Sequence, residues 1–295
     1  MRLLTRIRKR ARKSFDWLRG WFHAHVTLRW LCWTHQPLRD LTLFQRRIPF
    51  IERREYSQNG EDGIIAAVFA KIGTTNRYCV EFGVEDGLQC NCRYLLQKKG
   101  WTGLLMDGGE WASNDQQTKQ KQLSSPLPTG EGQGEGVSAM IVHQEFVTAE
   151  NIEPLFRKYG VPAEFDLLSI DIDGNDYWVW KAIAHFHPRV VIMEYNANKG
   201  PDASVTIPYN PAFIWDKTDY QGASLRALEK LGREKGYTLV ATDRNGVNAF
   251  FVLTTLVPGN FAPPSFAQIF HPAAYKGIPG KGHPADPKRR AWVEI

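Results

Sequence analysis

From residue 56 onward, short apolar segments alternate with segments of helical periodicity, and this alternation constrains the fold more than any other feature. Near-continuous apolar strands separated by helices are typical of a parallel sheet that is covered on both faces. Five segments fit such strands: RYCVEFG (77–83), TGLLMDG (102–108), VSAMIVH (137–143), FDLLSIDID (165–173) and RVVIMEYN (189–196). The pattern predicts an α/β fold with a parallel sheet.

The remaining ordered segments predict helices and a hairpin. The helices are NGEDGIIAAVFAKIG (59–73), residues 88–98, AENIEPLFRKYG (149–160), a helix from about Asp176, and GASLRALEKLGREKG (222–236). In the first of these, Asn59 is placed to cap the helix and Gly73 to end it. Beyond the last helix, YTLVATDRNGVNAFFVL (237–253) holds two apolar segments across an Asn-Gly turn, a strong hairpin signal. The hairpin makes the last strand of the sheet antiparallel.

Composition divides the chain into three parts. Residues 1–50 carry 12 of the 37 lysines and arginines but only 2 of the 31 acids, and the remaining 245 residues have a net charge of −4. We predict a basic arm over residues 1–54, a domain over 55–257, and a proline-rich tail over 258–295 that wraps on the surface. Within the domain, the polar segment 113–137 predicts a disordered surface insertion.

The arm mixes arginine and lysine with leucine and tryptophan. It has no run of 18 or more apolar residues, so it is not a membrane span. Its spacing permits a basic amphipathic helix in which residues 1–30 contact an anionic membrane surface. A solvated leader, a nucleic-acid-binding arm and a mitochondrial presequence are the alternatives. The main body is slightly acidic, so nucleic acid is not its expected partner.

The four cysteines follow no zinc-binding or redox spacing: Cys32, Cys79, Cys90 and Cys92. This favours reduced thiols in a cytoplasmic protein, which would be peripheral at the inner membrane face if the arm binds lipid.

Each predicted strand ends in polar or glycine residues. In an open parallel sheet, ligands bind beyond the carboxyl ends of the strands, so these residues are expected to converge on one site. They are Glu81 and Gly83, Asp107 and Gly108, His143, Asp171 and Asp173, and Glu194 and Asn196.

The first strand continues into the glycine-containing segment VEFGVEDGLQCN (80–91). Gly83 and Gly87 let the backbone approach a ligand closely, and the following helix offers N–H groups to an anion. Asp107 ends the next strand, 24 residues beyond Gly83, where an acid can accept hydrogen bonds from ribose hydroxyls. A tight turn that needs glycine, with a capping acid at a strand end, is the alternative.

Several motifs resemble the FkbM-type S-adenosylmethionine-dependent methyltransferases and their relatives of bacterial glycan loci. The motifs are EYSQNGEDGII, VEFGVEDG, GWTGLLMDG, LLSIDIDGNDYWVWKAI and YQGASLRAL, and the resemblance covers residues 55–253 without the insertion. It implies a Rossmann-like class I methyltransferase fold, with a seven-stranded, mostly parallel sheet and an antiparallel last strand. It also implies S-adenosylmethionine as cofactor, bound by Glu81, Gly83 and Gly87 of the loop and by Asp107. One departure is Glu85, where such loops commonly have a glycine.

Three aspartates follow closely on the fourth strand, in the segment IDIDGND (170–176). A calcium hand is excluded, because its sixth position would be Asp176 instead of glycine and its twelfth Ala182 instead of an acid. A plain strand-to-helix turn, in which Asn175 or Asp176 caps the next helix, is one interpretation.

Two functional interpretations of the aspartates stay open. In the first, Asp173 or Asp171 is the general base that removes a proton from the acceptor hydroxyl. In the second, one of these aspartates binds Mg²⁺ together with Glu194 and Asn196, and the ion lowers the pKa of a bound hydroxyl. This second layout is similar to that of metal-dependent O-methyltransferases.

The resemblance implies methyl transfer to an oxygen, on a sugar or other hydroxyl of a surface glycan or related metabolite. The alternatives are a catalytically inactive methyltransferase-like scaffold docked at a membrane, and another nucleotide-cofactor enzyme on the same fold.

The long segment 197–220 is expected to be a lid over the substrate. Aromatic residues near the site can offer a stacking surface for a sugar, although Trp178 and Trp180 are expected to pack in the core: Tyr177, Trp178, Trp180, Tyr195, Tyr209, Phe213, Trp215 and Tyr220.

Overall fold

The computed structural model describes residues 51–109, 140–262, 265–274 and 278–295. The predictions for the basic arm, apart from its last four residues, and for the insertion at 113–137 therefore lie outside the described residues. Cys32 and the first three residues of the predicted strand 137–143 lie outside them as well.

Strands and helices alternate along the described chain. In chain order the elements are α1 (Glu61–Ile72), β1 (Tyr78–Phe82), α2 (Arg93–Lys98), β2 (Thr102–Asp107), β3 (Val142–Gln144), α3 (Ile152–Lys158), β4 (Glu164–Ile170), α4 (Asp176–Ala182), β5 (His187–Glu194), β6 (Val205–Thr206), α5 (Leu225–Glu234), β7 (Tyr237–Thr242), β8 (Asn248–Leu253), α6 (Phe266–Ile269) and β9 (Val293–Glu294).

Seven of these strands form one sheet in the order β3-β2-β1-β4-β5-β8-β7. The first five lie parallel to one another, and β8 runs antiparallel to both β5 and β7. β8 lies between β5 and β7 in the sheet. It runs antiparallel to β7 because the Asn-Gly turn folds it back onto that strand. The predicted Rossmann-like α/β fold, with a seven-stranded, mostly parallel sheet and an antiparallel last strand, is confirmed.

Helices cover both faces of the sheet. Side chains alternate across a strand, so Val80 and Phe82 of β1 join the core formed with α3, α4 and α5, whereas Cys79 joins the core formed with α1 and α2. From its second residue onward β4 is buried at every position, as expected for a central strand between two helical layers. The carboxyl ends of β1, β4 and β5 are thereby fixed side by side at one edge.

Several local predictions differ from the structure. The helix predicted over 88–98 begins at Arg93, and the strand predicted over 165–173 ends at Ile170, so Asp171 and Asp173 lie beyond it. The strand predicted at 189–196 ends at Glu194, so Asn196 lies beyond it. The first helix is preceded by Gly60 in the left-handed conformation, without a side-chain cap, because the Asn59 side-chain oxygen accepts from the Asn245 amide at 3.0 Å instead. Asn175 occupies the N-cap position of α4 but makes no capping bond, because its amide donates to the Asn210 carbonyl at 2.7 Å.

The described part of the tail packs on the domain. Ile269 of α6 is buried in the core, and β9 pairs antiparallel with β6 as a separate two-stranded sheet. Across the described ranges, no helix combines the length and apolarity that crossing a bilayer requires.

Candidate active site

A cavity of about 600 Å³ opens at the carboxyl ends of β1, β4 and β5. Six of the residues predicted to form the site line it: Glu81, Gly83, Asp171, Asp173, Glu194 and Asn196. Asp107 and Gly87 do not line the cavity: Asp107 accepts the Glu85 N–H from the loop that forms one wall, and Gly87 lies within that loop. His143 lies within β3 and does not line the cavity.

Gly83 makes the loop after β1 possible. Its φ is +79°, and a Cβ atom at this position would lie 1.4 Å from the Asp171 carbonyl oxygen. The backbones at the ends of β1 and β4 meet here, since the Asp171 N–H donates to the Phe82 carbonyl at 3.2 Å. Only glycine fits, because any side chain would collide with backbone that cannot move without separating the two strands.

Asp107 holds the same loop from the end of β2. One carboxylate oxygen accepts the Glu85 N–H at 2.8 Å, and the other accepts the Gly109 N–H at 2.7 Å. Glu85 lies in the left-handed region with φ +49°, which explains why a glycine is common at its position in similar loops. Asp107 thereby fixes the loop after β1 from the end of β2.

Glu81 supports the loop from below. Its buried carboxylate accepts the N–H groups of Asn91 at 2.8 Å and of Cys92 at 2.7 Å, immediately before α2. Burial raises the pKa of Glu81, although these N–H donors work against the shift. In this position Glu81 ties the end of β1 to the start of α2 and so fixes the shape of the segment between them.

Three carboxylates converge on the floor of the cavity. One carboxylate oxygen each of Asp171, Asp173 and Glu194 lies within 4.8 Å of the other two. Glu194 accepts the Gln221 side-chain amide at 3.4 Å through one oxygen, and its other oxygen is buried with no hydrogen-bond partner among the described residues. A buried oxygen without a partner is costly, and a cation between the three carboxylates would supply the missing interaction.

The pKa of every acid in this cluster is raised. Desolvation, followed by the charges of Asp176, Glu85 and Asp107, raises the pKa of Asp173 to about 7. Burial and the neighbouring carboxylates raise the pKa values of Asp171 and Glu194 well above their usual range. Without a cation, the cluster therefore retains protons near neutral pH.

Asn196 and Asp176 take other roles. The Asn196 amide donates to the carbonyls of Asp219 and Gln221, both at 2.8 Å, and its side-chain oxygen accepts the Asn198 N–H at 3.1 Å. Asn196 thus fixes a loop beside the cluster of Asp171, Asp173 and Glu194, and its predicted role as a metal ligand stays a prediction. The Asp176 carboxylate accepts the N–H groups of Ile172 and Gly174, both at 2.8 Å, and shapes the turn in which Asp173 lies at φ +55°.

Residues that the sequence did not single out also line the cavity. Glu61 and Asn248 do so from α1 and β8, and Gln221 from the segment before α5. Glu61 lies within the EYSQNGEDGII motif, which was a usable signal. His283 comes from the tail, where no periodicity or spacing marked it. Of the predicted aromatic residues, Trp215 and Tyr195 reach the cavity, whereas Trp180 is buried in the core as expected.

No family model matches this chain, and no curated protein sequence matches it either. Among solved structures, it is similar to magnesium protoporphyrin IX methyltransferase from Synechocystis PCC 6803 with bound SAH, at a TM-score of 0.38 and 12% identity over 79% of this chain and 96% of that one. The O-methyltransferase TomG from Streptomyces achromogenes in complex with SAM gives a TM-score of 0.39 and 14% identity over 74% and 90%. The CcbJ methyltransferase from Streptomyces caelestis gives 0.38 and 11% over 72% and 99%. A likeness of this size bears on neither activity nor substrate.

Proposed function

We propose that this protein is an S-adenosylmethionine-dependent methyltransferase that acts on a hydroxyl group, on a sugar of a surface glycan or a related metabolite. The observation that carries the proposal is the juxtaposition, in one cavity, of the Gly83 loop with the carboxylate of Asp173. The proposed cofactor and substrate class come from the motifs that resemble FkbM-type methyltransferases.

The residues around the loop suit the cofactor. Backbone approaches the cavity without a side chain at Gly83, and Asp107 presents oxygen acceptors beside the loop at the end of β2, the position where an acid can accept ribose hydroxyls. S-adenosylmethionine, when bound, supplies an electrophilic methyl carbon on a positively charged sulfur. The acidic character of the cavity favours that charge, and it disfavours a second anionic ligand beside it.

In this proposal Asp173 removes the proton from the acceptor hydroxyl. The hydroxyl oxygen forms the bond to the methyl carbon, the carbon–sulfur bond breaks with its electron pair going to sulfur, and the Asp173 carboxylate takes the proton. With a pKa of about 7, the carboxyl is a better base than an ordinary aspartate and is still partly ionised at neutral pH. The protein otherwise contributes by holding the two groups in line.

The same cluster suits a divalent cation. Asp171, Asp173 and Glu194 offer hard oxygen ligands at adjacent strand ends, and the unpartnered oxygen of Glu194 fits a ligand role. An ion held there would stabilise an ionised acceptor oxygen, and Asp173 would then be a ligand instead of the base.

The first experiment is calorimetric titration of the full chain with S-adenosylmethionine, with chelator and with Mg²⁺. We expect saturable binding, and we expect Asp107→Asn to weaken it about tenfold through lost loop and ribose contacts. Asp202→Asn, at an exposed aspartate away from the cavity, is the matched control and should bind like the wild type. Absence of binding under both conditions would refute the proposal and favour the inactive scaffold.

The cation is tested by thermal unfolding of wild type and Glu194→Gln. Mg²⁺ should raise the melting temperature of the wild type but not of Glu194→Gln. In chelator, Glu194→Gln should be more stable than the wild type, because it lacks the uncompensated buried carboxyl. Glu294→Gln, at an exposed acid on β9, should behave like the wild type. An equal Mg²⁺ effect on all three proteins would exclude this site.

A further inference from the structure

The cavity has a second wall, which is built by the segment before α5 together with the tail. Trp215 and His283 both line it, and their rings meet edge to face with centroids 4.8 Å apart and planes at 87°. The Trp215 indole N–H donates to the Thr218 carbonyl at 2.8 Å, which fixes the orientation of the ring. Two perpendicular rings therefore form a fixed corner of the same cavity that Asp173 lines.

Hydrogen bonds and ion pairs hold the two segments of this wall together. The Asp219 N–H donates to the Pro284 carbonyl at 2.7 Å, and the Asp219 carboxylate accepts the Asp286 N–H at 2.8 Å. Arg290 forms ion pairs with Asp216 at 2.7 Å and with Asp286 at 3.0 Å. These charged residues do not line the cavity, whereas Trp215 and His283 do.

The tail also contacts the loop after β5 without a gap. A Cβ atom on Gly282 would lie 1.4 Å from the Asn198 side-chain oxygen, so the backbone of the tail rests directly on Asn198. Asn198 and Gln221 line the cavity next to the carboxylate floor. The wall is thus a close-packed part of the site, and Asn198 and Gln221 contribute side-chain amides beside the His283 imidazole.

The charges of the lining restrict what can bind. The described residues that line the cavity include seven acids and one histidine, with no lysine or arginine among them. An anionic substituent would lose its hydration there without gaining a cationic partner, which is unfavourable. Hydroxyl groups, in contrast, can donate to carboxylates and both donate to and accept from amides. An aromatic face accommodates the apolar C–H face of a saccharide ring.

We propose that the acceptor is an uncharged saccharide ring that binds in the corner formed by Trp215 and His283, so that these two residues determine acceptor specificity. The inference rests on the proposed function, because it names the acceptor of the same site. It assigns part of the specificity wall, His283, to the tail, outside residues 55–253 that carry the methyltransferase-like motifs.

The test is binding of methyl hexosides, each beside its uronic acid counterpart, to the full chain with and without S-adenosylhomocysteine, followed by ligand-observed NMR and tryptophan fluorescence. At least one neutral hexoside should bind, and its uronic acid should bind at least about tenfold more weakly. Trp215→Ala and His283→Ala should each weaken hexoside binding about tenfold or more, and Trp215→Phe about threefold or less.

The matched control is Ile214→Ala, because Ile214 is 80% exposed next to Trp215 and does not line the cavity. It should bind the hexoside like the wild type, and all variants should retain wild-type affinity for S-adenosylmethionine. Equal binding of a hexoside and its uronic acid would overturn the inference. So would wild-type hexoside affinity in Trp215→Ala, or no binding of any neutral hexoside at about 20 mM. S-adenosylmethionine binding, measured separately, decides the proposed function in each of these cases.

Discussion

At the scale of single residues, two positions of the loop after β1, Gly83 and Glu85, both have a positive φ. Gly83 lies where a side chain cannot fit, and Glu85 carries a side chain in a conformation that glycine adopts at no steric cost. Each position gives a prediction that separates steric from electrostatic effects.

Gly83→Ala should destabilise the protein by several kcal/mol, because strain at positive φ adds to a collision with the Asp171 carbonyl. The control is Gly100→Ala, where φ is +65° but no atom lies within 4 Å of the added Cβ, so only about 1–2 kcal/mol is expected. Urea unfolding measures both. Equal losses in the two variants would show that the close approach of β1 and β4 is not maintained in solution.

Glu85→Gly should tighten S-adenosylmethionine binding severalfold, because it removes both the strained conformation and an acid at the cavity wall. Glu85→Gln removes the charge alone and should give a smaller gain. Calorimetric titration distinguishes them. Weaker binding in both variants would show that the Glu85 carboxylate contacts a positive group of the cofactor.

At the scale of elements, Asp166 joins β4 to β5 and to the loop between α1 and β1. It lies in β4, is fully buried, and accepts the N–H groups of Thr75 at 2.9 Å and Arg77 at 2.7 Å, and the Arg189 guanidinium from β5 at 2.8 Å. Burial alone would raise the pKa of Asp166, but Arg189 and the N–H donors outweigh it and hold the pKa below the usual value. The carboxylate therefore stabilises the fold at neutral pH.

Asp166→Asn should lower the free energy of unfolding at pH 7 by about 3–5 kcal/mol, because Arg189 loses its buried partner. A depressed folded-state pKa gives stability that is complete above the unfolded value near 3.9 and is lost as the pH falls through the folded value. The difference in free energy of unfolding between variant and wild type, measured with urea, should hence become smaller below about pH 4. Asp202→Asn is the control and should stay within about 0.5 kcal/mol. A gap independent of pH would contradict the ion-pair explanation.

At the scale of the whole molecule, the last residues of the tail pack against the segment between β5 and α5. The Ile295 N–H donates to the Ser204 carbonyl at 2.8 Å, and the Tyr220 hydroxyl donates to the Ala291 carbonyl at 2.8 Å. The Trp292 and Tyr220 rings pack edge to face with centroids 5.1 Å apart. The Lys199 ammonium lies over the Trp292 ring, 4.0 Å from its centroid. The last residues thus brace the loop that carries Trp215.

Ending the chain at Ala291 should lower stability by about 1–3 kcal/mol, because it removes a half-buried tryptophan and the pairing of β9 with β6. Thermal unfolding should show a drop of several degrees, and hexoside binding should weaken along with it. The control is Glu294→Ala, an exposed position of β9. An unchanged melting temperature in the shortened chain would mean that β9 does not brace the loop.

The element types follow from local patterns, which is why the sequence predicts them. Apolar runs, helical stripes and the Asn-Gly turn each lie within about 20 residues, and they suffice for a parallel sheet with a final antiparallel strand. Strand ends are equally local, so the gathering of Gly83, Asp171, Asp173 and Glu194 at one edge was predictable from topology.

What each polar side chain does there was decided by tertiary structure. The Asn196 amide donates to carbonyls 23 and 25 residues away, and the Asp107 carboxylate accepts an N–H from 22 residues away, so these partners could not be predicted from neighbours in sequence. His283 reaches the cavity only because the tail pairs with segments tens of residues earlier. Hydrogen-bond partners and burial depend on packing between distant segments, and local periodicity carries no information about that packing.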